Sequence, residues 1–258
     1  MQHVLSRWCA ETPRCSYVQW DGSEFRGSSS KCGGLAAEHT ILAGHRGFGY
    51  CREVETNKRG LISFTVLREP ISRIRSLFDY RLAEMNILGK GIEDLSETIV
   101  RFNSTPEVEK GEMRLKWLGV QQARFICGYH CMGPEAVVMA KNLTIEQEAD
   151  RIMQRAMHNL PKINAIGVLE RFPELIPQLK YQFDFVPLAF KAWPRENTVK
   201  PKKKTVLSDQ AMAILRQWAR HDIILYERAS KLAARKAAEA LKCMKLARTA
   251  PVSDTKNH

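Results

Sequence analysis

A guanidinium at the end of a buried strand, followed at once by the first turn of a helix, can hold a phosphate. The stretch Phe64-Thr-Val-Leu-Arg-Glu-Pro-Ile-Ser-Arg-Ile-Arg-Ser-Leu-Phe-Asp-Tyr80 has that pattern. Free N–H groups and the positive end of the helix dipole favour an anion at such a junction. Arg68 can grip a phosphate through two N–H groups at once, which a lysine cannot do. Arg73 and Ser76 lie three positions apart and share one helical face, so Ser76 can offer its hydroxyl to the anion that Arg68 holds. The competing reading is a set of surface arginines paired with Glu69 and Asp79, an arrangement worth little energy.

Other side chains with metal-binding or nucleophilic chemistry are thinly spread. The seven cysteines (Cys9, Cys15, Cys32, Cys51, Cys127, Cys131, Cys243) are too scattered for a disulfide scaffold. Cys127-Gly-Tyr-His-Cys131 has no second Cys/His pair at matching spacing, so a zinc site is not expected and no metal is demanded. A local disulfide or a pair of buried thiols fits that segment better.

The elements that would position the arginines read as follows. Leu61-Ile-Ser-Phe-Thr-Val-Leu67 is a short apolar, β-branched run, the signature of a buried strand. Pro70 suits the first turn of a helix. Ile71, Ile74, Leu77, Phe78, Leu82, Met85 and Leu88 then recur at helical spacing, which predicts an amphipathic helix over 71–88, ended by Gly89 and Gly91. Residues 92–125 are expected to hold one or two shorter helices, and Leu143–Asn159 another. Its inward face is Ile145, Ala149, Ile152, Ala156 and Leu160. Ile163–Leu169 is a second buried strand, leading through Glu170-Arg-Phe-Pro-Glu-Leu into a further helix. Ser208 caps a long helical pattern through Leu215, Trp218, Ile224, Leu225 and Leu232. The order strand, helix, helix, strand, helix favours a parallel α/β sheet.

A chain of 258 residues and 29.5 kDa can build one large α/β domain or two small ones. With 44% hydrophobic and 26% charged residues it is neither collagen-like, mucin-like nor wholly disordered. No run approaches the ~18 apolar residues of a membrane span, and Met1 to Trp20 lacks the apolar core of a signal peptide. The formal charge is +12, and residues 195–258, with 15 basic and 6 acidic side chains, carry +9 of it. Such a balance points to anionic partners without choosing among nucleic acid, acidic polysaccharide, membrane surface or nucleotide.

Residues Arg68-Glu69-Pro70 with Arg73, Ser76, Phe78 and Tyr80 resemble the 3′-phosphate-binding motif of carbohydrate sulfotransferases, where Arg-Asp-Pro precedes Arg, Ser and aromatic residues. Three further segments resemble the heparan sulfate 2-O-sulfotransferase group and its relatives. They are the Gly-His segment Ala43-Gly-His-Arg-Gly-Phe-Gly-Tyr50, the strand Ala165-Ile-Gly-Val-Leu-Glu-Arg-Phe172, and the closing helix His221-Asp-Ile-Ile-Leu-Tyr-Glu-Arg-Ala229 with Asp222 and Tyr226 in place. Gln121-Gln-Ala-Arg-Phe-Ile-Cys-Gly128 is a weaker echo. The resemblance covers roughly residues 40–232.

The resemblance implies a P-loop-like parallel sheet flanked by helices. It implies sulfuryl transfer from 3′-phosphoadenylyl sulfate to a carbohydrate hydroxyl, with an acidic glycan as acceptor and the Golgi as the expected compartment. Arg68 and Ser76, with Arg73, would bind the 3′-phosphate, and His45 would be the base, an imidazole being poised near neutral pH. The expected domain is 35–232, preceded by an irregular segment 1–34 and followed by a basic helical extension and tail, 233–258. One part of the family pattern is not evident. The Lys/Ser/Thr-rich loop that holds the 5′-phosphosulfate should follow a first strand well upstream of the Gly-His segment. Arg26-Gly-Ser-Ser-Ser-Lys-Cys-Gly-Gly34 has the composition but no apolar strand before it. The chain is therefore expected either to lack its first strand and phosphosulfate loop or to be a divergent, inactive member.

The alternative to an enzyme is a basic nucleic-acid or polyanion-binding module. Aromatic residues are not interleaved with the basic run, and no recognition motif appears, so no nucleic acid is expected. The basic loop Lys200–Lys204 reads as a solvated segment that could guide an acidic glycan.

Overall fold

The computed structural model of the chain describes residues 17–20, 41–44, 62–77, 95–104, 117–128, 131, 144–182 and 206–249. Strand β1 (Tyr17–Trp20) pairs in parallel with β2 (Ile41–Gly44), and β3 (Phe64–Leu67) pairs in parallel with β4 (Ala165–Val168). The helices are α1 (residues 70–77), α2 (Leu95–Ser104), α3 (Gln121–Cys127), α4 (Ile145–Asn159), α5 (Leu175–Gln182), α6 (Asp209–Trp218) and α7 (Arg220–Thr249). The described residues are thus mostly helical, and the β3–β4 pair packed against helices makes the arrangement α/β in part.

Two readings of the sequence are corrected. The segment 1–34, expected to be irregular, contains β1, and this strand precedes the Ser/Lys/Gly stretch 26–34. Tyr-Val-Gln-Trp has strong β propensity but only four residues of it, too short a signal among polar neighbours. The helix expected to run unbroken from Ser208 is two helices, parted at Ala219. Apolar spacing continues through the break, so periodicity alone does not reveal it. The predicted helix 71–88 is described only as far as residue 77.

The main core gathers Leu67 of β3, Ile166 and Val168 of β4, Ala123 and Ile126 of α3, Ile152 and Ala156 of α4, and Leu225, Ala229 and Ala233 of α7. Every residue of β4 is buried. Its apolar, nearly unbroken sequence is what a strand covered on both faces requires. On one side Gly167 admits Leu175 of α5, since a Cβ there would lie 3.0 Å from Leu175 Cδ2. A second core joins Ile74 of α1, Ile99 of α2, and Ala211, Ile214 and Leu215 of α6. Thr144 opens α4 with a reciprocal capping box to Gln147, and Ser208 caps α6 by accepting the Ala211 N–H.

Strand edges are closed by side-chain amides. The Ile166 N–H donates to Gln178 Oε1 at 2.9 Å, and Gln178 Nε2 donates back to the Ile166 carbonyl at 2.9 Å, imitating a neighbouring strand. The same Nε2 also reaches the Ala233 carbonyl, which ties α5 to α7 across the edge of β4. Buried backbone groups need such partners.

The C-terminal end of α3 is held by Asn159, whose Nδ2 donates to the Ile126 and Cys127 carbonyls at 3.1 and 2.9 Å. Gly128 follows with φ of 100°, a conformation that favours glycine. The chain then turns so that Cys127 and Cys131 form a disulfide with a Cα–Cα separation of 5.9 Å. Of the two alternatives for this segment, a local disulfide or a pair of buried thiols, the structure has the disulfide. Among the described residues no helix is long and apolar enough to cross a membrane.

Candidate functional site

The carboxyl ends of β3 and β4 lie side by side, and in open parallel sheets that edge is where ligands bind. Strand β3 stops at Leu67, and α1 starts at Pro70, so Arg68 and Glu69 make the whole turn. The backbone therefore bends where the sequence placed the junction. Gln122 of α3 secures it: its Oε1 accepts the Arg68 N–H at 2.8 Å and its Nε2 donates to the Arg68 carbonyl at 2.9 Å.

Glu69 changes the expected anion pocket. Its own carboxylate accepts the Ile71 N–H at 3.0 Å and the Ser72 N–H at 2.6 Å, while the Arg73 N–H bonds the Glu69 carbonyl. The helix N–H groups that the sequence offered to a phosphate are thus engaged by an acidic N-cap. Any anion bound at this turn must be met by side chains.

Arg73 points inward. Its side chain is 16% exposed, its Nη1 donates to Gln121 Oε1, and its Nη2 lies 3.8 Å from Asp222 Oδ2. Burial pushes the Arg73 pKa down, Asp222 pulls it back up, and the nearby Arg68 charge lowers it further. Arg73 is a positioning residue here, tying α1 to α3 and α7. Arg68 and Ser76 are both half-buried, Ser76 one turn beyond Arg73 on α1. These two remain the candidates for direct contact with an anion.

Asp222, fully buried in the first turn of α7, is the hub. Its two oxygens accept the N–H groups of Gln122 and Ala123 at 3.0 and 2.8 Å, so an α7 carboxylate caps the N-terminus of α3. Burial raises its pKa from 3.8 to about 7, against the opposing pull of Arg73 and the two amides. One turn on, Tyr226 donates its hydroxyl to Glu170 Oε2 at 2.8 Å, and Glu170 Oε1 accepts the Glu69 N–H at 3.0 Å. Burial, followed by the bond to Glu170 and its charge, raises the Tyr226 pKa to about 12. Glu170 therefore ties the end of β4 to the end of β3 and to α7.

Four segments far apart in sequence consequently meet at one place: Arg68–Arg73, Gln121–Ala123, Glu170 and Asp222–Tyr226. Arg68 stands in the turn after β3, and Arg73 and Ser76 stand on α1. Sequence reasoning did not foresee the acidic cap, the Gln121 and Gln122 clasps or the Arg73–Asp222 pair. Adjacent glutamines carry no periodic or charge signature that would have marked them. His45 lies outside the described residues, which reach Gly44 at the end of β2. The stretches 26–34 and 200–204 lie outside them as well. Among the described residues no group of three or more His, Cys, Asp or Glu side chains could hold a metal ion. No protein-family model matches the chain, and no curated protein matches it.

Proposed function

We propose that the turn between β3 and α1 binds the 3′-phosphate of 3′-phosphoadenylyl sulfate, and that the chain serves sulfuryl transfer to a carbohydrate hydroxyl. The observation that carries this reading is the convergence just described. Four of the five segments resembling the carbohydrate sulfotransferase motifs touch one another at the carboxyl edge of a parallel strand pair, through Gln122 on Arg68, Asp222 on Arg73, and Tyr226 on Glu170 beside Glu69. Of the fifth, the Gly-His segment, only Ala43 and Gly44 are among the described residues.

In this reading Arg68 grips the phosphate and Ser76 donates its hydroxyl, while Arg73, anchored on Asp222 and Gln121, fixes the helix that carries Ser76. The acceptor hydroxyl oxygen forms a bond to sulfur as the bond from sulfur to the bridging phosphate oxygen breaks. His45, next after the last residue of β2, takes the hydroxyl proton, and adenosine 3′,5′-bisphosphate departs. Such an in-line displacement depends on positioning and on stabilising charge at the leaving oxygens. The finer fold assignment, a P-loop-like sheet over residues 35–232, and a Golgi setting with an acidic glycan acceptor belong to the same proposal.

Adenosine 3′,5′-bisphosphate should bind the full chain, and Arg68→Ala should weaken it about 10–100-fold, the loss of a charge-assisted pair worth ~1.5–3 kcal/mol. Ser76→Ala should cost about 3–10-fold, the scale of one neutral hydrogen bond. Titration calorimetry measures both, with adenosine 5′-monophosphate as the comparison lacking the 3′-phosphate. Equal binding of the two nucleotides, or undiminished affinity in Arg68→Ala, would sink the proposal.

A further inference from the structure

Among the described asparagines, Asn103 stands apart from Asn159 and Asn164. The latter two are half-buried and bonded into the fold. Asn159 Nδ2 donates to the Ile126 and Cys127 carbonyls, and Asn164 Oδ1 accepts the Ser63 N–H at 2.9 Å. Neither has a Ser or Thr two positions on, since they open Asn159-Leu-Pro161 and Asn164-Ala-Ile166. Asn103 is exposed and opens Asn103-Ser-Thr105, the acceptor pattern for an N-linked glycan. It stands in the last turn of α2. Ile99, one turn earlier and nearly on the same helical face, is fully buried in the core that joins α2 to α1 and α6. At Asn103 that face has passed the core and meets solvent. Ser104 is exposed as well, its hydroxyl donating to the Val100 carbonyl at 3.0 Å within the helix. Thr105 lies outside the described residues and enters through its place in the sequence.

We propose that Asn103 is a site of N-linked glycosylation. A bulky, hydrophilic oligosaccharide is borne only where it displaces no packing. Asn159 and Asn164 fail that condition and Asn103 meets it. The second condition is the compartment, and the Cys127–Cys131 disulfide points to an oxidising one, the setting in which secretory-pathway proteins are modified. The donor is an oligosaccharide carried on a lipid diphosphate, and a transferase supplied in trans reads the hydroxyl residue two positions after the asparagine. Asn103 Nδ2 forms a bond to the anomeric carbon of the first sugar as the bond from that carbon to the phosphate oxygen breaks. The lipid diphosphate leaves with the electron pair, and Nδ2 gives one proton to the transferase's base. Asn142-Leu-Thr144 is a second sequon, but Asn142 lies outside the described residues. None of this draws on nucleotide binding at the β3–α1 turn.

The test translates the full chain behind a cleavable secretory leader in the presence of microsomes, and scores only polypeptide shielded from added protease. Peptide:N-glycosidase F in heavy-oxygen water leaves an isotope label on any asparagine that carried a glycan. Mass spectrometry of the tryptic peptide Phe102–Lys110 should find that label at residue 103. N103Q and T105A should each abolish it, together with one step of the gel-mobility shift, whereas T105S should keep it. N142Q should leave it in place, which separates the two sequons. Pro106 restricts the backbone of the residue before it, so occupancy is expected to be partial, and a partial label that T105A removes supports the proposal. Should N103Q fail to fold, T105A makes the same comparison with the asparagine retained. An unlabelled residue 103 in shielded wild-type chain would overturn the proposal. A mobility shift identical in wild type and N103Q would do the same, as would phosphate on Ser104 or Thr105 in place of the glycan.

Discussion

Replacing Asp222 by alanine is expected to cost about 3–5 kcal/mol of unfolding free energy at pH 8, where the carboxyl is ionised, the range for removing one partner of a buried charge pair. The loss has two parts. The Gln122 and Ala123 N–H groups at the start of α3 lose their acceptor, and the Arg73 guanidinium loses its counter-charge in a buried site. Urea unfolding followed by circular dichroism checks the value. Asp222→Asn, which keeps an oxygen for one of the two amides, should lose less than Asp222→Ala. If alanine there were tolerated within ~1 kcal/mol, the hub role of this carboxylate would be refuted.

The same residue predicts a pH dependence with a definite sign. Its folded pKa of about 7 is raised above the ordinary 3.8. The folded state therefore holds the proton more tightly than the unfolded chain does. The stabilisation is complete below about pH 4 and is lost as pH rises through about 7. Between pH 5 and pH 8 the wild-type chain should lose roughly 3 kcal/mol relative to Asp222→Asn, whose side chain does not titrate. A difference between the two proteins that stays constant over that range would contradict the assignment.

Gly119→Ala is expected to be the second severe change, costing about 3 kcal/mol or more, at or above the upper end for overpacking. Gly119 sits in the short 3-10 turn Trp117–Val120, and a Cβ there would run into the Trp218 carbonyl group and stand 3.1 Å from the Ala219 nitrogen. These are backbone atoms at the junction of α6 and α7, so they cannot swing aside. Gly167→Ala makes an instructive contrast. Its Cβ would meet only the Leu175 side chain, at 3.0 to 3.4 Å, and a side chain can shift. About 1–2 kcal/mol is expected there. Thermal melts of the two variants side by side would test the ranking, and a Gly119→Ala protein as stable as Gly167→Ala would refute it.

Strands β3 and β4 and the helices around them were legible because burial imposes a period on the residues. Apolar β-branched runs at 61–67 and 163–169 left little choice but strands, and the inward residues Ala149, Ile152, Ala156 and Leu160 are buried as their spacing predicts. The junction at Arg68-Glu69-Pro70 was legible for a local reason, since proline suits a helix's first turn. The role of Glu69 was not. Whether an acidic side chain at such a position salt-bridges a neighbour or folds back onto its own helix depends on backbone angles that residue types do not specify. Arg73 was similarly ambiguous: its direction was set by Asp222, nearly 150 residues away in the chain.

Residue order alone determined the elements that periodicity and capping encode: two short apolar strands, the amphipathic helices, the turn carrying Arg68, and the charge concentrated toward the C-terminal end. That β4 is buried throughout whereas β3 buries only Leu67 was left to the packing. Tertiary structure alone decided which polar groups face each other there. Gln122 clasps the Arg68 backbone, Asp222 caps α3 and holds Arg73, and Glu170 joins Glu69 to Tyr226. The physical reason is one of range. Apolar patterning is a local signal repeated every two to four residues, whereas a hydrogen bond between distant segments exists only once packing has brought donor and acceptor within about 3 Å.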